Sequence, residues 1–184
     1  MLYSSNSLQY GNCFYQQKIE MNNLEYPHWR LLLDPGHFLA LGLGSGFSPI
    51  APGTVGTLLG IPLAFYIQRF EIGHRIIILL IMIMLGIYLC GRCGKLFKKH
   101  DHPAIVFDEI AGILIPLIFL PLTIVNVLIC FCLFRFLDIV KPWPISFFDK
   151  SFKGGLGIMA DDLVAGFFVL LGVYFVLRCL DDFI

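Results

Sequence analysis

Charge is scarce in this chain: 14% of its 184 residues are charged, 13 basic against 13 acidic, so the formal net charge is zero. That balance gives no general electrostatic attraction for nucleic acid, and none is expected as a partner. The opening stretch MLYSSNSLQYGNCFYQQKIE lacks both a basic start and an apolar run, so it is not read as a secretory signal peptide. It reads as a disordered extension, with Met21 an alternative start. Cysteine is sparse: Cys13, Cys90, Cys93, Cys130, Cys132 and Cys179 lack the dense spacing of a secreted disulfide scaffold, and buried reduced thiols are the simplest expectation. Cys90-Gly-Arg-Cys93 has no second C-x-x-C and no thioredoxin-like strand pattern, so it reads as a structural pair at a helix end. There is no G-x-x-x-x-G-K-[ST] phosphate loop and no G-x-S-x-G nucleophile elbow, which argues against an NTPase and an acyl hydrolase.

What is abundant is grease. Hydrophobic residues make up 58% of the chain, and the mean hydropathy of +0.81 makes membrane the default environment. Uncharged stretches run over Phe38–Gln68, Ile76–Gly91, Ile110–Phe134 and Leu163–Leu177, too long for ordinary strands. The expected fold is all-α, a compact helical bundle embedded in or associated with a membrane and built from helical hairpins.

The loop GLGSGFSPIAPGTVGT, Gly42 to Thr57, is too rich in glycine and proline for continuous helix, so a helix is predicted to start at Thr54 or Thr57 as N-cap and to end near Gln68. Leu58–Gln68 and Ile76–Cys90 then form a hairpin turning at Arg69–Arg75. At 1.5 Å per residue the second arm spans roughly 22 Å, short of a bilayer core of about 30 Å, which predicts shallow insertion or tilt. Pro116 and Pro121 interrupt Ile110–Phe134. If the chain folds back near Pro121, the loops Arg92–Glu109 and Arg135–Asp162 share one side with the Gly-rich loop. Arg92, Lys95, Lys98, Lys99, Arg135, Lys141, Lys150 and Lys153 then stand on that side against Arg69 and Arg75 opposite, and the positive-inside rule turns it to the cytoplasm.

Acids sit where the grease begins. Asp108 and Glu109 precede Ile110–Phe134, Asp161 and Asp162 precede Leu163–Leu177, and each pair is followed shortly by Ala-Gly. An acid at a helix start is commonplace because the macrodipole favours it, but adjacent like charges beside an apolar segment need a cation or basic side chains between them. Between the pairs, Arg135 and Asp138 are spaced i, i+3 on one helical face, and Lys141-Pro142 marks a helix end beside Trp143, which suits head-group depth. GGLG at Gly154–Gly157 and the earlier Gly-rich loop allow backbone amides to approach an anion, which makes Ser48, Thr54, Thr57, Gly154 and Gly155 candidate substrate contacts, although packing turns are equally ordinary. His100 and His102 flank Asp101, and His102 is the better candidate for a catalytic proton. Clustered acids, bases and anion loops fit a hard divalent cation holding a phosphate.

Taken in order, SPIAPGTVGTLLG, DHPAIVFDEIAG, FRFLDIVKPWPISFFDK and GGLGIMADDLVAG, spread over Gly42–Gly166, resemble the phosphatidylglycerophosphatase A family. The resemblance implies an all-helical domain over residues 34–184 after an extension over 1–33. It also implies a Mg²⁺-dependent lipid phosphatase at the cytoplasmic face of a bacterial inner membrane, converting phosphatidylglycerophosphate to phosphatidylglycerol. Carried over by motif, Asp108, Glu109, Asp161 and Asp162 are metal ligands or catalytic groups, Asp138 is a further catalytic acid, and Arg135 and Lys141 bind the phosphate. Adjacent acids permit attack by an activated water or by a carboxylate.

Two other readings compete. A membrane phosphotransferase acting on phospholipid head groups also needs acids and metal, but its D-G-x-x-A-R…G-x-x-x-D-x-x-x-D pattern is absent. A small membrane transporter predicts charges inside the apolar segments, and those segments carry none.

Overall fold

The stretch from Ile110 to Phe134 does fold back on itself. The computed structural model describes residues 29–97 and 102–181; Lys98, Lys99, His100, Asp101 and the extension up to residue 28 lie outside the described residues. Helices α1 (Pro35–Ala40), α2 (Pro52–Ile67), α3 (Ile72–Phe97), α4 (Phe107–Phe119), α5 (Ile124–Val140), α6 (Ile145–Ser151) and α7 (Gly154–Asp181) follow in order, with short 3-10 turns at Trp29–Leu33 and Gly42–Phe47 and no strand among the described residues. Leu31 of the first turn is buried in the core.

Helix α4 is the axis of the bundle. It packs against α2, α3, α5 and α7, and all of its residues except Glu109 and Phe119 are buried. Pro116 lies within the helix without ending it, and the break comes at Leu120, whose extended backbone precedes Pro121. Thr123 then caps α5, its hydroxyl accepting from Asn126 N at 3.2 Å.

Helix α4 has 13 residues, about 20 Å of rise, and its last carbonyls have no partner within the helix. Two side chains from the α2–α3 turn cover them. Gln68 Nε2 donates to Leu117 O and Leu120 O, both at 2.7 Å. Arg75 Nη1 donates to Ile118 O at 3.1 Å, while its other nitrogens hold Phe70 O and Gln68 O.

Three sequence expectations change. The arm read as Ile76–Cys90 is a helix of 26 residues, about 39 Å long. Arg92 and Lys95 do not stop it, since long basic side chains extend to the interface while the backbone stays helical, and α3 and α7 are both long and apolar enough to cross a membrane. Their outer faces are apolar, with Ile77, Leu80, Ile81, Met84, Leu85 and Tyr88 exposed along α3, as a lipid-facing surface requires. Helix α2 begins at Pro52 after a left-handed Ala51, ahead of both threonines, because proline's fixed φ suits the first helical position. Gly154–Gly157 form the first turn of α7 rather than a loop.

The glycines decide where helices touch. A Cβ on Gly166 would stand 2.2 Å from Gly112 O, and one on Gly155 would stand 1.7 Å from Ile87 O. Helices α4 and α7 therefore meet at Gly112 and Gly166, and α3 and α7 meet at Gly91 and Gly155. Cys90 and Cys93 are buried in this second contact zone as free thiols, Cys90 Sγ lying 3.9 Å from Met159 Sδ.

Candidate active site

The contact of Gly112 with Gly166 assembles the acids. Helices α4 and α7 run parallel at that point, and each carries its acidic pair about one turn before the touching glycine. Side by side, Asp108, Glu109 and Asp162 each offer an oxygen within 4.8 Å of the others, and so do Asp138, Asp161 and Asp162. The two groups share Asp162.

Their backbone settings differ. Asp108 and Glu109 occupy the first turn of α4, as expected, and Asp108 Oδ1 accepts from Glu109 N at 3.1 Å. Asp161 and Asp162 do not start a helix: they lie about two turns inside α7, both buried. The macrodipole acts within the first turn and gives them little there, so side chains must compensate them.

Two cationic side chains supply part of that compensation. Arg135 Nη1 stands 2.5 Å from Asp138 Oδ2, 3.8 Å from Glu109 Oε1 and 3.5 Å from Thr57 Oγ1. Lys141 caps α5 in a left-handed conformation, φ 45°, which turns its side chain towards α7. Its Nζ lies 2.6 Å from Asp161 Oδ2 and 2.9 Å from Asp149 Oδ1.

The five clustered carboxylates and Asp149 therefore face two cations, and oxygens are left over. Glu109 Oε2 and Asp162 Oδ1 are buried without a hydrogen-bond partner, as is Arg135 Nε. Burial first, then the neighbouring Asp162 carboxylate, push the Glu109 carboxyl well above the usual carboxylate range. Orphaned carboxylate oxygens in an all-oxygen donor set fit a hard divalent cation such as Mg²⁺, and unpaired Arg135 Nε fits an anionic oxygen.

The N-terminus of α2 closes one side. A Cβ on Gly53 would lie 2.1 Å from Glu109 Oε1 and 3.2 Å from Arg135 Nη1, so glycine is what lets this turn abut the acids. Thr57 is buried, donates to Gly53 O at 2.8 Å and reaches Arg135, while Thr54 is half-buried in the first turn.

The remaining sequence candidates make contacts of another kind. Ser48 Oγ donates to Ile50 O at 2.8 Å in an exposed turn. His102 is buried, stacks on Phe97 with ring centroids 4.0 Å apart, and its Nδ1 accepts from Ala104 N at 3.2 Å, so it builds the turn leading into α4. Gly155 is a helix contact, and Gly154, at φ +69°, has open space where a Cβ would go. Trp143 is 83% exposed, as an interfacial anchor would be. Asp149 and Gly53 join the site without a signal in the sequence that singles them out. Asp149 closes the FFDK end of the third motif, and its helical neighbour Lys150 gives no hint that it turns to Lys141.

Comparison with known proteins identifies the family. The family model for phosphatidylglycerophosphatase A matches residues 38–177. The phosphatidylglycerophosphatase A of Escherichia coli (strain K12) is 42% identical over 144 residues, 78% of this chain and 84% of that protein. That of Haemophilus influenzae is 40% identical over 146 residues, 78% of this chain and 89% of its own. A Bacteroides thetaiotaomicron protein provisionally named a phosphatidylinositol-3-phosphatase is 36% identical over 145 residues, 73% of this chain and 90% of its own. No solved structure matches. Four motifs, an all-helical bundle and these relatives lead to one assignment: the chain belongs to the phosphatidylglycerophosphatase A family.

Proposed function

We propose that this protein is a Mg²⁺-dependent phosphomonoester hydrolase that releases the terminal phosphate of phosphatidylglycerophosphate, leaving phosphatidylglycerol, at the cytoplasmic face of a bacterial inner membrane. The observation that carries the proposal is the pair of orphaned, buried oxygens on Glu109 and Asp162, inside a set of five carboxylates at one end of two helices long enough to cross a bilayer. The names of the two phosphatidylglycerophosphatase relatives supply the substrate.

Asp108, Glu109, Asp161 and Asp162 would hold the cation, with Asp138 on the same cluster. Bound there, Mg²⁺ supplies neutralisation of the monoester oxygens and activation of an attacking water. The chain's own groups do the rest. Arg135 Nε donates to a phosphate oxygen while Asp138 and Glu109 fix its other end. Lys141, anchored by Asp149, balances the charge that grows as the phosphoryl group transfers. A carboxylate not committed to the cation takes a proton from water or attacks phosphorus itself.

The layout suits a lipid. The acyl chains stay in the bilayer against the exposed apolar faces while the head group enters between α2, α4, α5 and α7. Arg92, Lys95, Arg135, Lys141, Lys150 and Lys153 sit toward the site end, against Arg69, Arg75 and Arg178 toward the opposite end, and this excess supports a cytoplasmic site.

The test is phosphate release by the purified full-length protein in mixed micelles with Mg²⁺. Phosphatidylglycerophosphate, phosphatidylinositol-3-phosphate and phosphatidic acid are compared, beside Asp108→Asn and Asp162→Asn variants. The proposal expects preferential release from phosphatidylglycerophosphate and near-complete loss in both variants. Preference for the inositol lipid would move the assignment to the activity named for the Bacteroides relative, and unchanged release by both variants would remove the site.

A further inference from the structure

A cavity open to the surface lies at the same end of the bundle, beside α3. It encloses about 750 Å³ between α1, the end of α3 and the start of α7, and its lining includes His37, Tyr88, Arg92, Lys95, Gly154 and Gly155. None of the acids of the catalytic cluster lines it. On α7 the cavity lies seven residues before Asp161, about 10 Å by helical rise.

Its polar groups are cationic or neutral donors. Arg92 and Lys95 stand i, i+3 on one face of α3. Arg92 is tied to Asp34, Nη2 to Oδ2 at 2.6 Å, and Asp34 is itself held as the N-cap of α1 by Gly36 N and His37 N. One acid thus offsets one base, and Lys95, exposed and without an ion pair among the described residues, is left over. His37 Nδ1 is buried and makes no hydrogen bond, standing 3.5 Å from Asp34 Oδ1.

The position says where a ligand would come from. The exposed apolar stripe of α3 ends at Tyr88, which is 64% exposed, and one and two turns later the same face carries Arg92 and Lys95. An apolar face closed by tyrosine and then by basic residues marks head-group depth. The rest of the lining is apolar, with Ile87 and Leu96, which suits the glycerol and first methylenes of a lipid better than a hydrated soluble anion.

We propose that this cavity binds the phosphodiester of an anionic phospholipid. Lys95 and Arg92 pair with the phosphate, and the surplus positive charge disfavours a head group that carries its own cation. The phosphodiester has two sources: a bulk lipid such as phosphatidylglycerol, or the inner phosphate of the substrate while its outer phosphate lies among the carboxylates. The second source rests on the proposed function; the first does not.

The test uses Lys95→Gln, with Lys150→Gln as an exposed lysine outside the cavity. In nanodiscs of phosphatidylcholine doped with phosphatidylglycerol, native mass spectrometry reads which lipid stays on the protein. In parallel, KM is measured for phosphatidylglycerophosphate and for phosphatidic acid, a monoester without the diester. Loss of about fivefold in phosphatidylglycerol retention for Lys95→Gln, with KM unmoved, assigns bulk lipid. A KM raised about fivefold for phosphatidylglycerophosphate and unchanged for phosphatidic acid assigns the substrate's own diester. Equal effects of Lys95→Gln and Lys150→Gln, or no effect in either measurement, overturn the site. If the parent protein hydrolyses neither lipid, the proposed function fails while lipid retention still decides the cavity.

Discussion

Lys141 and Asp161 join α5 to α7 through a contact of 2.6 Å between Nζ and Oδ2. The lysine reaches this position because its backbone is left-handed at the end of α5, and Asp149 holds it from the other side at 2.9 Å. Asp161 is buried beyond the reach of the helix dipole, and Lys141 supplies part of its compensation. Lys141→Met is expected to lower kcat by about 100- to 1000-fold, the scale of removing one preorganised charge donor. Asp149→Asn, which leaves the lysine in place but less fixed, is expected to cost less. Phosphate release under saturating substrate measures both, and a Lys141→Met enzyme within a few-fold of the parent contradicts the role.

Arg135 serves Asp138, Glu109 and Thr57 at once and keeps Nε for a ligand. A lysine has one nitrogen and no fork, so Arg135→Lys preserves charge while giving up most of these contacts. A loss of about 100-fold in kcat/KM is expected from the misplaced phosphate, with the helical circular dichroism unchanged. Near-parental kcat/KM in Arg135→Lys refutes the geometric role and leaves only a charge requirement.

Gly53 tests the packing of the site without touching a charge. A methyl group there would meet Glu109 Oε1 at 2.1 Å, whereas a methyl on Gly172 meets nothing within 4 Å. Gly53→Ala is expected to displace Glu109 and cost about 10- to 100-fold in activity. Gly172→Ala keeps activity and gains up to about 1 kcal/mol of helix stability. Equal activity in the two alanine variants contradicts the close approach of α2 to the acids.

Most of this site was legible because its parts are chemically loud. Paired acids beside apolar segments ask for a cation, and the turn at Pro121 that brings both pairs to one side followed from a proline-interrupted segment. The Ala-Gly echo after each pair was visible as a pattern; its cause, a contact between Gly112 and Gly166, needs the third dimension. Pairings set by tertiary approach were hidden. Nothing local distinguishes Gly53 from its glycine neighbours, or Asp149 from any acid on a short helix. In sequence Arg75 is only a charge on the far side; its donation to Ile118 O needs the fold. The uncharged stretch that stops before Arg92 understates the length of α3, because basic side chains continue a helix into the interface.

Surplus carboxylates make the folded protein a metal-dependent object if a divalent cation binds there. Ligand binding to the native state alone stabilises it by mass action, so Mg²⁺ is expected to raise the unfolding temperature of the detergent-solubilised protein and a chelator to lower it. The increment should shrink in Asp162→Asn, since Asp162 belongs to both carboxylate groups. An Mg²⁺ increment equal in parent and variant places the effect elsewhere on the chain.

Gln68 is far from all of this chemistry and is expected to matter only for stability. Its Nε2 holds Leu117 O and Leu120 O at 2.7 Å each, at the end of α4 where both residues are buried. Gln68→Leu is close in volume but removes the donor, leaving two carbonyls unpaired. The cost of an unsatisfied buried group is about 1–3 kcal/mol, and for a chain of this size each kcal/mol moves the unfolding temperature by roughly 2–4 °C. Thermal unfolding in detergent should therefore show a clear drop for Gln68→Leu, while kcat of the folded fraction stays at the parental value. An unshifted melting curve would mean that Arg75 covers these carbonyls alone. A fall in kcat with stability intact would mean that the far end of α4 controls the position of Asp108 and Glu109 through the close-packed residues between them.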